Sequence, residues 1–142
     1  MAKGTPGEPF RIHEVETTNK HPMHIDTTLI PLVPGRIMIN PEFVDLDRLP
    51  SVLKSWEILT PPQADPVGNR FLDKFSICSK WISLNVLVLD DRKVIVEGQQ
   101  RSMIRALEDW GFEAIPCPFE SYQAFGGGIH CATLDVRRRG KP

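Results

Sequence analysis

Several features that define broad classes of protein are missing from this 142-residue sequence. No apolar run is long enough to span a bilayer, and residues 1–9 have the pattern of neither a signal peptide nor an Arg-rich transit segment. Basic and acidic side chains are balanced, 17 against 18, so no excess charge favours nucleic acid or an anionic membrane. We therefore expect a cytoplasmic protein that binds neither, with residues 1–9 disordered.

Cysteine is also scarce, and its spacing excludes two kinds of stabilisation. The three cysteines, Cys78, Cys117 and Cys131, are an odd number without CxxC pairing, which argues against a disulfide framework and a structural zinc site. His21, His24 and Asp26 could be read as a metal cluster, but the set lacks further ligands. We expect reduced thiols and no bound metal.

Two segments of the chain share one pattern of elements. Each has two apolar strands joined by a tight turn, then a helical stretch and a third strand that leads into prolines. The two units span about residues 25–62 and 83–118, and Trp56 matches Trp110, so the period is about 55 residues. Any two α/β segments look somewhat alike, but matching turns, tryptophans and exit prolines favour true repetition. The sequence therefore predicts an α+β fold with a repeated strand–strand–helix–strand (ββαβ) unit.

The predicted elements are strands at 29–33, 36–39 and 56–59 with a helix over 46–55, then strands at 85–89, 93–96 and 113–115 with a helix over 100–110. A further strand is expected at 10–16. Residues 60–77 are a long, proline-containing connection, and loops of this length are commonly functional, so we expect it to cover a substrate.

A run of three glycines, Gly126 to Gly128, stands just before Cys131. Glycine lets the main chain turn sharply and approach a ligand closely, and loops of this kind often carry catalytic groups. The thiolate of Cys131 could therefore attack an electrophile. The alternative is a buried, inert cysteine, which we expect for Cys117 because it lies between two prolines at the end of a strand.

Three ordered segments closely resemble the amidinotransferases, the arginine:glycine and inosamine-phosphate enzymes. They read PMHIDTTLIPLVPGRIMINP (22–41), SKWISLNVLVLD (79–90) and GGGIHCATLDVRRRG (126–140). The resemblance runs from about Phe10 to Gly140 and covers only the C-terminal portion of such an enzyme. It implies the pentein fold, an α/β propeller of five ββαβ units around a central site, of which this chain would hold about two full units plus flanking strands.

The resemblance also implies roles for five residues. Cys131 matches the nucleophile, which carries an amidino-cysteine intermediate, and His24 matches the acid/base group. Asp26 matches a carboxylate that binds the guanidinium group, and on a strand it would share a face with His24. Ser79 and Met23 match positions that line the substrate pocket. From the residues alone, His24 could instead be structural, and Asp26 could be solvated or merely orient His24.

Other positions depart from the family or have lesser roles. His130 adjoins Cys131, but adjacent side chains of an extended segment face opposite ways, so a structural or supporting role is expected. Cys78 and Phe43 differ from the residues of glycine-type members, which leaves the acceptor open. The aspartate that orients the histidine in the family, and a second guanidinium-binding acid, precede the matched region.

The sequence therefore predicts an amidinotransferase that moves the amidino group of arginine to an acceptor amine, either glycine-like or an amino-cyclitol, without a cofactor. We expect the chain to be inactive by itself, and to associate with the missing N-terminal part or form a homo-oligomer. Two alternatives are a non-catalytic remnant that binds a guanidino ligand or partner subunit, and an arginine-deiminase-like hydrolase.

Overall fold

Two small mixed sheets form the framework of the chain. The computed structural model describes residues 11–20, 24–66, 79–123 and 125–136. The first sheet contains β1 (Leu29–Val33), β2 (Arg36–Ile39) and β3 (Glu57–Leu59); the second contains β4 (Leu87–Val88), β5 (Lys93–Glu97) and β6 (Glu113–Cys117). In each sheet the first strand pairs antiparallel with the second, and the third pairs parallel with the second. The two sheets therefore share strand order and strand sense.

Each antiparallel pair is closed by a turn that the local sequence favours. Gly35, between β1 and β2, has φ +86°, a left-handed conformation that glycine adopts without steric cost. Between β4 and β5, the Asp90 carboxylate accepts hydrogen bonds from the backbone N–H groups of Arg92 and Lys93, both at 2.8 Å. The hydrogen bond from the Arg92 N–H, together with that from Lys93, holds the pKa of Asp90 below its usual value.

The first predicted helix differs from the structure, and a short helix near the C-terminus was not predicted. The helix predicted over 46–55 is instead a 3₁₀ turn, Leu46–Arg48, followed by the short helix α1, Ser51–Lys54. Pro50 separates them because a proline disfavours helical backbone at the preceding residue, and Leu49 is indeed extended, with φ −62° and ψ 145°. The other helices are α2, Arg101–Asp109, and α3, Glu120–Gln123. No helix in the described ranges is long and apolar enough to cross a membrane.

The strand predicted at 10–16 is wrong for the part that the structure describes. Residues 11–16 have no regular secondary structure, and the first sheet is complete with β1, β2 and β3. Among the described residues, this segment pairs with no strand of either sheet. The segment is instead attached by Val15, which packs on the first sheet, and by Thr18, whose N–H donates to the Phe43 carbonyl at 2.8 Å.

The apolar alternation of β2 divides the core in two. Met38 points to one face of the first sheet and Ile37 and Ile39 to the other, as expected for successive residues of a strand. The Met38 face joins the second sheet and α2 in one shared core: Ile30, Leu32, Val86, Val88, Val94, Val96, Met103, Leu107 and Phe112. The opposite face packs on Val44 and Leu49. Each such buried side chain contributes about 1.5–3 kcal/mol, so the shared core holds the two sheets together.

A polar bridge adds to this contact between the two sheets. The Arg36 guanidinium donates to the Trp110 carbonyl at 3.0 Å and lies 5.0 Å from the centre of the Trp110 ring. Its Nε also pairs with Glu57 at 2.7 Å. The five-unit ring and the unit boundaries near 25–62 and 83–118 stay predictions, and residues 1–9 lie outside the described ranges.

Candidate active site

The predicted nucleophile, acid/base group and carboxylate meet at one point on the surface. Cys131 lies in a 3₁₀ turn, His130–Ala132, and its Sγ is 3.6 Å from His24 Nδ1 and 3.7 Å from Asp26 Oδ2. These contacts join positions 107 and 105 residues apart in the chain. Cys131 and His24 are partly buried, and Asp26 is buried. A thiol, an imidazole and a carboxylate at this spacing can form a thiolate and exchange protons with a bound substrate.

The segment that carries His24 and Asp26 is not the expected strand. His24 is extended, but Ile25–Thr27 is a 3₁₀ turn, closed by the Thr28 N–H donating to the Ile25 carbonyl at 2.8 Å. The Thr27 hydroxyl donates to the His24 carbonyl at 2.9 Å and reinforces the turn. The strand argument for a shared face was therefore wrong, although both side chains reach Cys131.

Asp26 has one oxygen engaged and one without a partner. Its Oδ2 lies 2.7 Å from His130 Nδ1, and this pair is an ion pair when His130 is protonated. Among the described residues, no group hydrogen-bonds its Oδ1, although that atom is buried. An unpaired buried acceptor costs about 1–3 kcal/mol, more when it is charged. A ligand with N–H donors would remove this cost.

His130 contacts Asp26 and not Cys131 among the contacts that the structure describes. The expectation that it faces away from Cys131 rested on an extended backbone, which was wrong because residues 130–132 form a 3₁₀ turn. Its side chain is about half exposed and contacts the Asp26 carboxylate. The supporting role of His130 stays a prediction.

Each of the three glycines before Cys131 is favoured at its position for a different physical reason. Gly126 has φ +84°, which other residues rarely adopt. A Cβ on Gly127 would lie 2.9 Å from a Tyr122 ring carbon and 3.3 Å from the Cys131 Cβ. A Cβ on Gly128 would lie 2.6–2.8 Å from three side-chain atoms of Asn85. The last two glycines therefore make room for side chains around the nucleophile.

We expect Gly128→Ala to destabilise the fold because Asn85 is buried and cannot move aside. The cost should be about 1–3 kcal/mol, as for other overpacked sites, measured as a lower urea midpoint. The matched control is Gly98→Ala, whose Cβ would meet Cys117 and Pro118 at an ordinary 3.6 Å. Equal midpoints for the two variants would contradict the prediction.

Asn85 is a contact of the nucleophile that the sequence analysis missed. Its Nδ2 donates to Cys131 Sγ at 3.0 Å, and its Oδ1 accepts from the Cys131 backbone N–H at 3.2 Å. The sequence signal that could have identified Asn85 is its position as a single polar residue between the apolar Leu84 and Val86, within the segment 79–90.

Ser79 begins a turn whose side chains bind Glu42. Its Oγ accepts from the Trp81 N–H at 3.1 Å, and the Trp81 indole donates to Glu42 at 3.0 Å. Lys80 pairs with the same carboxylate at 2.9 Å, and its hydrogen bond is the main cause that lowers the pKa of Glu42. The pocket role of Ser79 stays a prediction. Met23, and most of the predicted loop at 60–77, lie outside the described residues.

The three groups at the site are also close enough to share a metal ion. One ligand atom from each of His24, Asp26 and Cys131 lies within 4.8 Å of the others, the one such group found in the described ranges. The sequence analysis expects no metal.

Comparisons with known proteins give one consistent result. No protein-family profile matches the chain. It is 44% identical over 135 residues to an L-arginine:L-lysine amidinotransferase of Pseudomonas savastanoi pv. phaseolicola, covering 95% of this chain and 36% of that protein. Its fold is similar to that of an amidinotransferase of Microseira wollei from the saxitoxin biosynthetic pathway, with a TM-score of 0.84 and 53% identity over 93% of this chain and 38% of that one.

A third relative agrees with the other two. The inosamine-phosphate amidinotransferase of Streptomyces griseus has a TM-score of 0.70 and 38% identity over 83% of this chain and 33% of that structure. The chain thus spans about a third of the length of the relatives it matches.

Proposed function

Because the chain belongs to the amidinotransferase family, we propose that it supplies the nucleophile, the acid/base group and a guanidinium-binding carboxylate for transfer of the amidino group of arginine to an acceptor amine. The observation that carries this proposal is the convergence of His24 and Asp26 on Cys131 Sγ, at 3.6 and 3.7 Å. A guanidinium carbon is a poor electrophile, so it requires a strong nucleophile and a group that holds the cation. The thiolate and the carboxylate meet these two needs.

In the first half-reaction, His24 takes the thiol proton and the Cys131 thiolate attacks the guanidinium carbon. Asp26 Oδ1, which is buried and unpaired among the described residues, accepts a guanidinium N–H. The bond from that carbon to arginine Nε then breaks, and His24 returns its proton to the departing nitrogen. Ornithine leaves, and an amidino group stays on the sulfur.

In the second half-reaction, the acceptor amine gives a proton to His24 and attacks the amidino carbon. The carbon–sulfur bond breaks and the thiolate returns, so the reaction needs no cofactor. The names of relatives give lysine, glycine and inosamine phosphate, which are all amines or their derivatives. We propose a primary amine as the acceptor, either glycine-like or an amino-cyclitol.

We further propose that the 142 residues are part of a five-unit pentein ring and have little turnover alone. Within the described residues, no carboxylate hydrogen-bonds the His24 ring to fix its tautomer. Loss of such a carboxylate costs about 10⁴-fold in the serine-protease case. Cys131 also lies on a partly exposed surface, where water could compete with the acceptor.

Incubation with arginine tests the proposal in two forms of the protein. One is the chain alone, and the other, the completed enzyme, is the chain joined to the preceding portion of the Microseira wollei relative. We expect the completed enzyme to release ornithine and to carry an amidino group on the Cys131 peptide, seen by mass spectrometry, and the chain alone to do so far more slowly. Citrulline and ammonia as products would instead identify a hydrolase. Binding of arginine without product or adduct would identify a non-catalytic remnant.

A further inference from the structure

Asn85 contacts the nucleophile with both ends of its side-chain amide. The Nδ2 group donates to Cys131 Sγ at 3.0 Å, and Oδ1 accepts from the Cys131 backbone N–H at 3.2 Å. A backbone N–H can only donate, so the amide oxygen must face it and the NH₂ group must face the sulfur. The orientation of the amide therefore follows from the two contacts together.

The surroundings of Asn85 hold it in place. It is 3% exposed and lies between the 3₁₀ turn Ile82–Leu84 and β4, with fully buried Leu84 and Val86 on either side. Its own N–H donates to the Ile82 carbonyl at 2.9 Å. Gly128 leaves the space that the Asn85 side chain occupies, since a Cβ there would lie 2.6 Å from Oδ1. A side chain fixed in this way can hold Cys131 at a defined position.

We propose that Asn85 is a positioning residue for the nucleophile, which stabilises the thiolate of Cys131 and directs its sulfur toward His24 and Asp26. A thiolate accepts a hydrogen bond more strongly than a thiol does, so a fixed N–H donor favours the charged form. The inference rests on the proposed function only in taking Cys131 as the nucleophile.

The charges at the site explain why a neutral donor suits this position. The titratable groups beside the sulfur are His24 and Asp26, and His130 lies behind Asp26. The Asp26 carboxylate repels a thiolate at 3.7 Å, whereas a neutral amide donates to the thiolate without adding charge. A positively charged lysine in place of Asn85 would compete with arginine for the Asp26 carboxylate.

Alkylation by iodoacetamide tests the proposal without arginine. The rate of modification of the Cys131 peptide is measured by mass spectrometry in the full chain at neutral pH. We expect Asn85→Ala to lower this rate about tenfold, the value of a lost hydrogen bond to a charged group. Asn85→Asp should lower it at least as much, because its carboxylate can still accept from the Cys131 N–H but repels the thiolate. When the alkylation rate is measured as a function of pH, its rise in both variants should occur at higher pH than in the wild type.

A merely structural role predicts the opposite sign. If Asn85 only held the loop, its removal would expose Cys131 and leave the alkylation rate unchanged or raise it, which would overturn the proposal. Ser83→Ala is the matched control, because Ser83 is also buried in this segment but donates to the Pro62 carbonyl at 3.0 Å. A tenfold loss in this control as well would assign the effect to general loosening and overturn the proposal too.

An NMR measurement on the wild type keeps the test independent of whether the variants fold. The side-chain amide signal of Asn85 should shift over the same pH range in which Cys131 alkylation rises, and a signal that does not respond would overturn the proposal. Alkylation that depends on Asn85, in a completed enzyme that forms no amidino adduct, would refute the proposed function and leave this inference standing.

Discussion

Cys131→Ser is expected to abolish both ornithine release and the arginine-dependent adduct in the completed enzyme. Serine has nearly the same size as cysteine, so the site stays intact, but its hydroxyl is a far weaker nucleophile near neutral pH. Cys131 Sγ lies 3.6 Å from His24 Nδ1, within hydrogen-bonding distance for sulfur of the group that we propose takes its proton. Ornithine is measured by chromatography and the adduct by peptide mass spectrometry.

Cys117→Ser is the matched control for this change. Cys117 ends β6, and among the described residues its sulfur contacts the Pro118 carbonyl at 4.0 Å and hydrogen-bonds no imidazole or carboxylate. We expect this variant to keep wild-type turnover and to carry the adduct on Cys131. An adduct on Cys117, or turnover that survives in Cys131→Ser, would refute the assignment of the nucleophile.

His24→Asn and Asp26→Asn are expected to fail in different kinetic parameters. Removal of the imidazole takes away the group that carries the proton in both half-reactions, so kcat should fall about 10²- to 10⁴-fold. Asparagine at position 26 removes the charge that attracts the guanidinium, so KM for arginine should rise roughly 10- to 100-fold. Steady-state kinetics of the completed enzyme separates the two effects.

The control for these two variants is His13→Asn, a change at an exposed histidine outside the site. It should leave kcat and KM for arginine at wild-type values. If His24→Asn and Asp26→Asn lowered kcat by the same factor and left KM unchanged, the separate roles would be wrong, and Asp26 would act by orienting His24.

The sequence singled out three residues that the structure brings together, and their roles stay predictions, whereas the local structure around them differs from the expectation. Cys131, His24 and Asp26 were named from a glycine-rich approach and from resemblance, and all three converge. Residues 25–27 and 130–132, which the strand arguments treated as extended, are both 3₁₀ turns, because hydrogen bonds of Thr27, Thr28 and Thr133 close them. Apolar periodicity carries no information about such bonds, since they depend on single hydroxyls and single turns.

Asn85 was missed for a related reason. A polar residue between two apolar ones reads as the exposed position of a strand, but Asn85 is buried because its partner is Cys131, 46 residues away. The helix at 101–109 was predicted well, since its apolar residues recur at helical spacing within one segment. Local patterns can be read from one segment, whereas long-range polar pairs become visible only when the chain is folded.

The wide separation of His24 and Cys131 along the chain also makes the site a reporter of folding. Their contact closes a loop of 107 residues, and the entropy cost of this closure is offset only when both sheets and their shared core have formed. No single hairpin or helix contains both partners, so a partly folded chain cannot hold the thiol beside the imidazole. The rate at which Cys131 reaches its contact with His24 during refolding would therefore follow assembly of the whole described chain, and would lag behind the formation of either sheet.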